Sequence, residues 1–139
     1  MTMKCYTLGY SGRKPLEILG LLESLDAMVA DIRYSPNSRV PHWRKVEMER
    51  LFGDRYLHLQ SLGNPNYRSD SPIALADPEA GILAIKALSK PAVLLCACRD
   101  YEACHRATVA DILRTEGMTV KELSSTSLSV WQPSLLTGD

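Results

Sequence analysis

The chain reads as an α/β fold, a three-layer α/β/α sandwich built on a mainly parallel sheet of about five strands. Three observations lead there. Apolar runs of strand length alternate with segments of helical periodicity, with no internal repeat and no linker between them. The run Ala92–Cys96 is apolar without a break, as expected of a central strand buried on both faces. Ile18, Leu21, Leu22 and Leu25 fall on one face of a helix, and that face packs on a sheet. The strand order expected is 3-2-1-4-5, in a single domain over residues 1–139 whose end, 124–139, is an irregular tail.

The first strand is read over Met3–Leu8 and runs into Gly9-Tyr10-Ser11-Gly12-Arg13, a turn whose glycines permit close backbone approach. Pro15 suits a first helical turn, and a helix follows to Leu25. A second strand, Met28–Ile32, ends in Asp31-Ile32-Arg33 and enters a turn with Pro36, Ser38 and Arg39. Trp43–Phe52 is read as a helix and Arg55–Gln60 as a short third strand. Residues 62–76 form an irregular loop, long enough in a compact domain to suggest a role in function. Asp77 caps a third helix that opens with Pro78 and Glu79 and runs to about Leu88. After Ala92–Cys96 comes a polar turn, then a last helix over Cys104–Glu116, closed by Gly117. Thr119–Leu123 supplies the fifth strand, and Trp131 in the tail is expected to pack.

Composition narrows the function classes. Lys+Arg and Asp+Glu both number 16, so no global field draws the chain to nucleic acid or to an acidic membrane. A hydrophobic share of 45% and a charged share of 23% argue against disorder. The four cysteines do not resemble a secreted disulfide framework, and Cys5 reads as a small core residue. No apolar run approaches membrane-spanning length and no signal-peptide pattern opens the chain, so a reducing, cytoplasmic setting is the expectation.

Four segments carry a family resemblance. They are Gly9-Tyr10-Ser11-Gly12; Asp31-Ile32-Arg33 with Pro36 and Ser38-Arg39; Tyr56 through Leu62-Gly63; and Leu94-Leu95-Cys96-Ala97 leading to Cys104-His105-Arg106. In order and spacing the chain resembles the domain of unknown function 488 family. The resemblance implies an α/β fold with its motifs at strand ends and leaves the biochemical role unassigned. This chain departs from the family pattern at Cys98, where a glutamate is common, and at Asn64, where a second glycine often follows Leu-Gly.

In a parallel sheet the loops that follow the strands share one edge, so the turns at 9–13, 33–39, 61–68 and 97–106 are expected to converge. Arg33, Arg39 and Arg106 are the candidate anion-binding residues, since guanidinium forks grip phosphate and carboxylate at two points. Ser11 and Tyr10 join them as substrate-binding candidates, and Tyr34, Trp43 and Tyr67 are aromatics able to stack on bases. The plainer role for such arginines is pairing with Asp31, Asp100 or Glu102 to hold the loops.

Cys104 is the candidate nucleophile because a helix start lowers a thiol's pKa, with small-residue packing as its plainer role. His105 is the candidate acid or base, and Asp31 a candidate catalytic carboxylate or an orienter of Arg33. The C-x-C-x5-C-H spacing of Cys96, Cys98, Cys104 and His105 lacks the paired ligands of structural zinc knuckles, so neither a metal nor another cofactor is expected. Two functions compete. One is a small enzyme with an arginine-rich pocket for a phosphate- or nucleotide-type anion at the carboxyl edge of the sheet. The other is a non-catalytic module that binds nucleic acid or a protein partner through the same rim.

Overall fold

Ala92–Cys96 (β4) is buried at every position and lies at the middle of the sheet. The computed structural model describes residues 4–69, 71–98 and 101–123. Arg99, Asp100 and the tail with Trp131 lie outside the described residues. Around β4 stand Lys4–Gly9 (β1), Met28–Asp31 (β2), Tyr56–His58 (β3) and Thr119–Glu122 (β5). All pairings are parallel, in the order β3-β2-β4-β1-β5.

The order 3-2-1-4-5 is therefore corrected: β1 and β4 exchange places. The physical reason lies in their faces. β4 is apolar along its whole length and tolerates burial on both sides, which is what a central parallel strand requires. β1 begins at exposed Lys4 and carries Thr7, whose hydroxyl needs a partner and finds it in the Glu122 carboxylate of β5 at 2.6 Å.

The sheet separates two apolar layers. Pro15–Leu25 (α1) and Lys45–Phe52 (α2) cover one face, where Ile18, Leu21, Leu22, Met48 and Phe52 meet Val29, Val93 and Leu95. Pro78–Lys86 (α3) and His105–Thr115 (α4) cover the other, where Ile82, Ile85, Val109 and Leu113 meet Ala30, Leu94 and Cys96. Neighbours in sequence along β4 thus point to opposite layers.

Local chemistry sets the helix ends. Pro15 and Pro78 occupy first turns, and the Asp77 carboxylate accepts from the Ala80 amide at 3.3 Å. α4 closes through Gly117 at φ 91°, with the amides of Gly117 and Met118 bonded back to Arg114 and Leu113. α2 starts two residues later than its apolar pattern suggested. Pro41–Trp43 forms a 3-10 turn, and Arg44 is extended before the helix begins. Among the described residues no helix is long and apolar enough to cross a membrane.

This topology decides where a ligand can enter. The connections leaving β1 and β2 pass to the face of α1 and α2, whereas the one leaving β4 passes to the opposite face. The chain therefore parts on both sides of β4's carboxyl end, and a crevice opens there.

Cys5 sits far from that crevice, paired with Ala92 at the opposite end of β4, and its thiol lies 4.0 Å from the Met118 sulfur. Burial pushes the Cys5 thiol up from an ordinary value of 9.0 to about 11, against a small opposing hydrogen bond with the Ala92 backbone. A pKa raised by folding contributes stability that is complete below the unfolded value and lost as pH rises through the folded one. Wild type should therefore lose about 2–3 kcal/mol relative to Cys5→Ala as pH rises from 8 to beyond 11. Urea unfolding of both proteins under reducing conditions measures this, and parallel pH profiles would rule it out.

Candidate functional site

The crevice is a cleft of about 550 Å³. Its walls come from all four strand-end segments: Tyr10 after β1, Arg33 and Ser38 among those after β2, Asn64 and Tyr67 among those after β3, and Cys96, Cys98 and His105 at and beyond the end of β4. The convergence expected of a parallel sheet is present. The loop at 62–76 forms a wall. Buried Asn64 holds it by accepting, through one side-chain oxygen, from the amides of Asn66 and Ala74. Asn66 donates its own side-chain amide to the Pro72 carbonyl.

Two glycines permit this close assembly. A Cβ on Gly9 would lie 1.7 Å from the Cys98 carbonyl oxygen, and one on Gly63 would lie 2.5 Å from the Tyr34 Cα. The turns can lie against one another only because both positions lack side chains.

Arg33 is buried and grips Asp31 with Nε and Nη2, at 2.8 and 2.6 Å from the two carboxylate oxygens. Nη1 donates to the Tyr10 hydroxyl and to the Trp43 carbonyl, and Nη2 also reaches the Met48 sulfur. A guanidinium has five N–H donors, and these contacts engage them all. Burial disfavours the Arg33 cation, but the bonds and charge of Asp31 outweigh it and hold its pKa above the ordinary arginine value. The Tyr56 hydroxyl donates to Asp31 at 2.6 Å. Burial, followed by the Asp31 charge, keeps that tyrosine protonated far above its usual range.

Arg106 is wholly buried and repeats the arrangement on the other side of β4. Nε and Nη2 pair with the two oxygens of Glu122 at 3.1 and 2.9 Å, while Nη1 donates to the Cys98 carbonyl and to the Cys96 sulfur. Both arginines therefore brace the strand ends, and Asp31 orients Arg33. Tyr10 lines the cleft, although its ring is stacked on buried Trp43 with centroids 4.1 Å apart. Ser11 and Arg39 are exposed and stand outside the lining. Tyr34 and Tyr67 line it, with ring centroids 6.4 Å apart.

The floor is sulfur and imidazole. Cys104 caps the start of α4 but is only 1% exposed, and its sulfur lies 2.8 Å from that of Cys96. A hydrogen bond from Cys96 lowers the Cys104 thiol, yet its bond to Cys98 together with burial prevails, and its pKa stays above the ordinary value. Burial likewise drives the Cys96 thiol well up. Cys98 is the thiol that faces the cleft. Hydrogen bonds from Cys104 and Cys96 act first to hold it far below the usual thiol range, with smaller help from the His105 and Arg106 charges. His105 anchors Nε2 on the Ile32 carbonyl at 2.7 Å, so Nδ1 turns toward Cys104, 3.7 Å away. Burial lowers the His105 pKa, partly offset by that carbonyl.

Comparison with known proteins places these residues in a family. A family model described as Domain of unknown function DUF488 matches residues 17–113, more than half of the sequence. The chain belongs to the DUF488 family. No curated protein and no solved structure gives a significant match.

The DUF488 match contains Asp31, Arg33 and the cysteine turn, while Gly9, Tyr10 and Glu122, which support them, fall outside it. Sequence reasoning missed Glu122, Tyr56, Asn64 and the cleft-facing role of Cys98. Glu122 did leave a signal: it is a carboxylate at the end of a strand, a place from which it can orient an arginine.

If Asp31 is a brace, Asp31→Ala leaves the Arg33 cation buried without its partner. The expected cost is about 3–5 kcal/mol of folding stability. Denaturant unfolding reads it, and a loss under about 1 kcal/mol would show that the pair does not hold the end of β2.

Proposed function

We propose that this DUF488 protein is a small enzyme whose cleft takes a polar, nucleoside-like ligand and whose reactive end is the floor formed by Cys98 and His105. The observation that supports this most directly is the make-up of the cleft. Its lining is rich in uncharged hydrogen-bonding groups, among them Ser35, Asn37 and Ser38, together with Tyr34 and Tyr67. An asparagine amide offers a donor and an acceptor side by side, as the edge of a base requires, and a tyrosine face suits a flat ring. Serine hydroxyls suit a sugar.

Among the described residues the one guanidinium in the lining, Arg33, is committed to Asp31, Tyr10, Trp43 and Met48. Recognition inside the cleft is accordingly assigned to the neutral part of the ligand. A phosphate on it would project toward the rim, where Arg39 is exposed.

A nucleoside panel in thermal-shift and calorimetric titrations tests this reading. Tyr67 is 47% exposed, so Tyr67→Ala spares the core and should weaken binding about tenfold to a hundredfold through the lost ring contact. Asn37→Ala should also weaken it. Cys98→Ser should leave binding in place and abolish turnover of the ligand that binds. If no nucleoside shifts the melting temperature, while nucleic acid is retained on the protein in a salt-dependent manner, the non-catalytic module is the better description.

A further inference from the structure

Three of the four cysteines meet at the carboxyl end of β4. The sulfurs of Cys96, Cys98 and Cys104 all lie within 4.8 Å of one another. They come from different backbone settings: the last residue of β4, the turn after it, and the residue that caps α4. All are free thiols. Thiolates around a zinc-type ion stand about 3.8 Å apart when metal–sulfur bonds are about 2.3 Å. Shifts of about an ångström would seat all three on one ion.

The surroundings suit such an ion. Arg106 Nη1 donates to the Cys96 sulfur at 3.3 Å, the kind of outer N–H bond that orients and tunes a metal's thiolate ligands. Cys104 stands at the amino end of α4, where the helix's partial positive charge favours an anionic sulfur. Cys96 and Cys104 are buried while Cys98 is exposed, so an ion enters from the cleft and keeps one side facing it. Three protein ligands with a fourth position open to a pocket is the arrangement of reactive zinc sites.

We propose that Cys96, Cys98 and Cys104 bind a single zinc-type divalent ion whose fourth position opens into the cleft. This turns on its head the expectation from spacing. That expectation assumed paired ligands on a knuckle, whereas here a strand end and a helix cap supply the pair and the turn between them supplies the third. The ion's binding stands on the sulfur geometry alone, and only the role of its open position rests on the cleft being the working site.

The test is titration of reduced, metal-stripped protein with cobalt(II) alone. One equivalent should produce a sulfur-to-cobalt charge-transfer band and strong tetrahedral ligand-field absorption, both displaced by zinc. Adding imidazole should shift the ligand-field bands through the open position. Cys5→Ser should bind as wild type does. Cys98→Ser, at an exposed site with folding checked by circular dichroism, should bind at least tenfold more weakly. Absence of the charge-transfer band in wild type, or an unchanged band in Cys98→Ser, overturns the proposal. So does a Cys96–Cys104 disulfide in freshly purified protein, read from its mass before and after reduction. Nucleoside binding without any cobalt spectrum overturns the metal and spares the cleft. A cobalt spectrum without nucleoside binding supports the metal and overturns the nucleoside reading.

Discussion

The guanidinium of Arg106 is the interaction on which the carboxyl edge of the sheet depends. A charged group with no solvent exposure costs several kcal/mol to desolvate and persists only where its partners are complete. Glu122 supplies both carboxylate oxygens from β5, Cys98 supplies a carbonyl from the turn, and Cys96 supplies a sulfur from β4. One side chain at the start of α4 thereby ties together the end of β4, the turn that follows it and the end of β5. Removing Glu122 would leave that charge unpaired in the interior, and the sulfur and carbonyl contacts tie β4 and its turn to the same pair.

Arg33 does the same on the other side of β4. It joins the end of β2 to the turn after β1 through Tyr10 and to the segment before α2 through Trp43. The two braces flank the crevice that the topology opens. Their donors are turned into the protein, leaving the cleft wall to Asn, Ser and Tyr side chains and its floor to sulfur and imidazole. A neutral chain can therefore concentrate arginines at one edge without making that edge a strong anion trap. Arg33 is matched to Asp31 at the end of the strand it follows, and Arg106 to Glu122 at the end of β5.

The fold was legible because its signals are local. Apolar runs, first-turn prolines, the Asp77 cap and the Gly117 stop each act within a few residues. The central position of β4 was legible too, from its unbroken apolar run. The exchange of β1 and β4 was hidden because it depends on a non-local pair: Thr7 seeks Glu122, which draws β5 beside β1. The four turns at the carboxyl edge could be placed together from topology alone. What each side chain does there could not, since an arginine reads alike whether it faces a substrate or a buried carboxylate. Cys104 illustrates the same limit. Its place at a helix start suggested an accessible thiolate, and packing instead buries it behind Cys98.

This division of labour bears on how the site is to be probed. Arg33→Ala is the substitution that sequence logic puts first, as a test of anion binding. In this structure it would leave Asp31 buried without its cation and strip hydrogen bonds from Tyr10 and the Trp43 carbonyl. Loss of activity in that variant would report a collapsed strand end as readily as a lost ligand contact. Tyr67, Asn37 and Cys98 carry no such ambiguity, because each side chain is exposed at the cleft and Cys98 meets Arg106 through its backbone carbonyl, which substitution leaves in place. The braces are buried, whereas Tyr67, Asn37 and Cys98 reach the cleft through exposed side chains. Only changes among the second group separate function from folding.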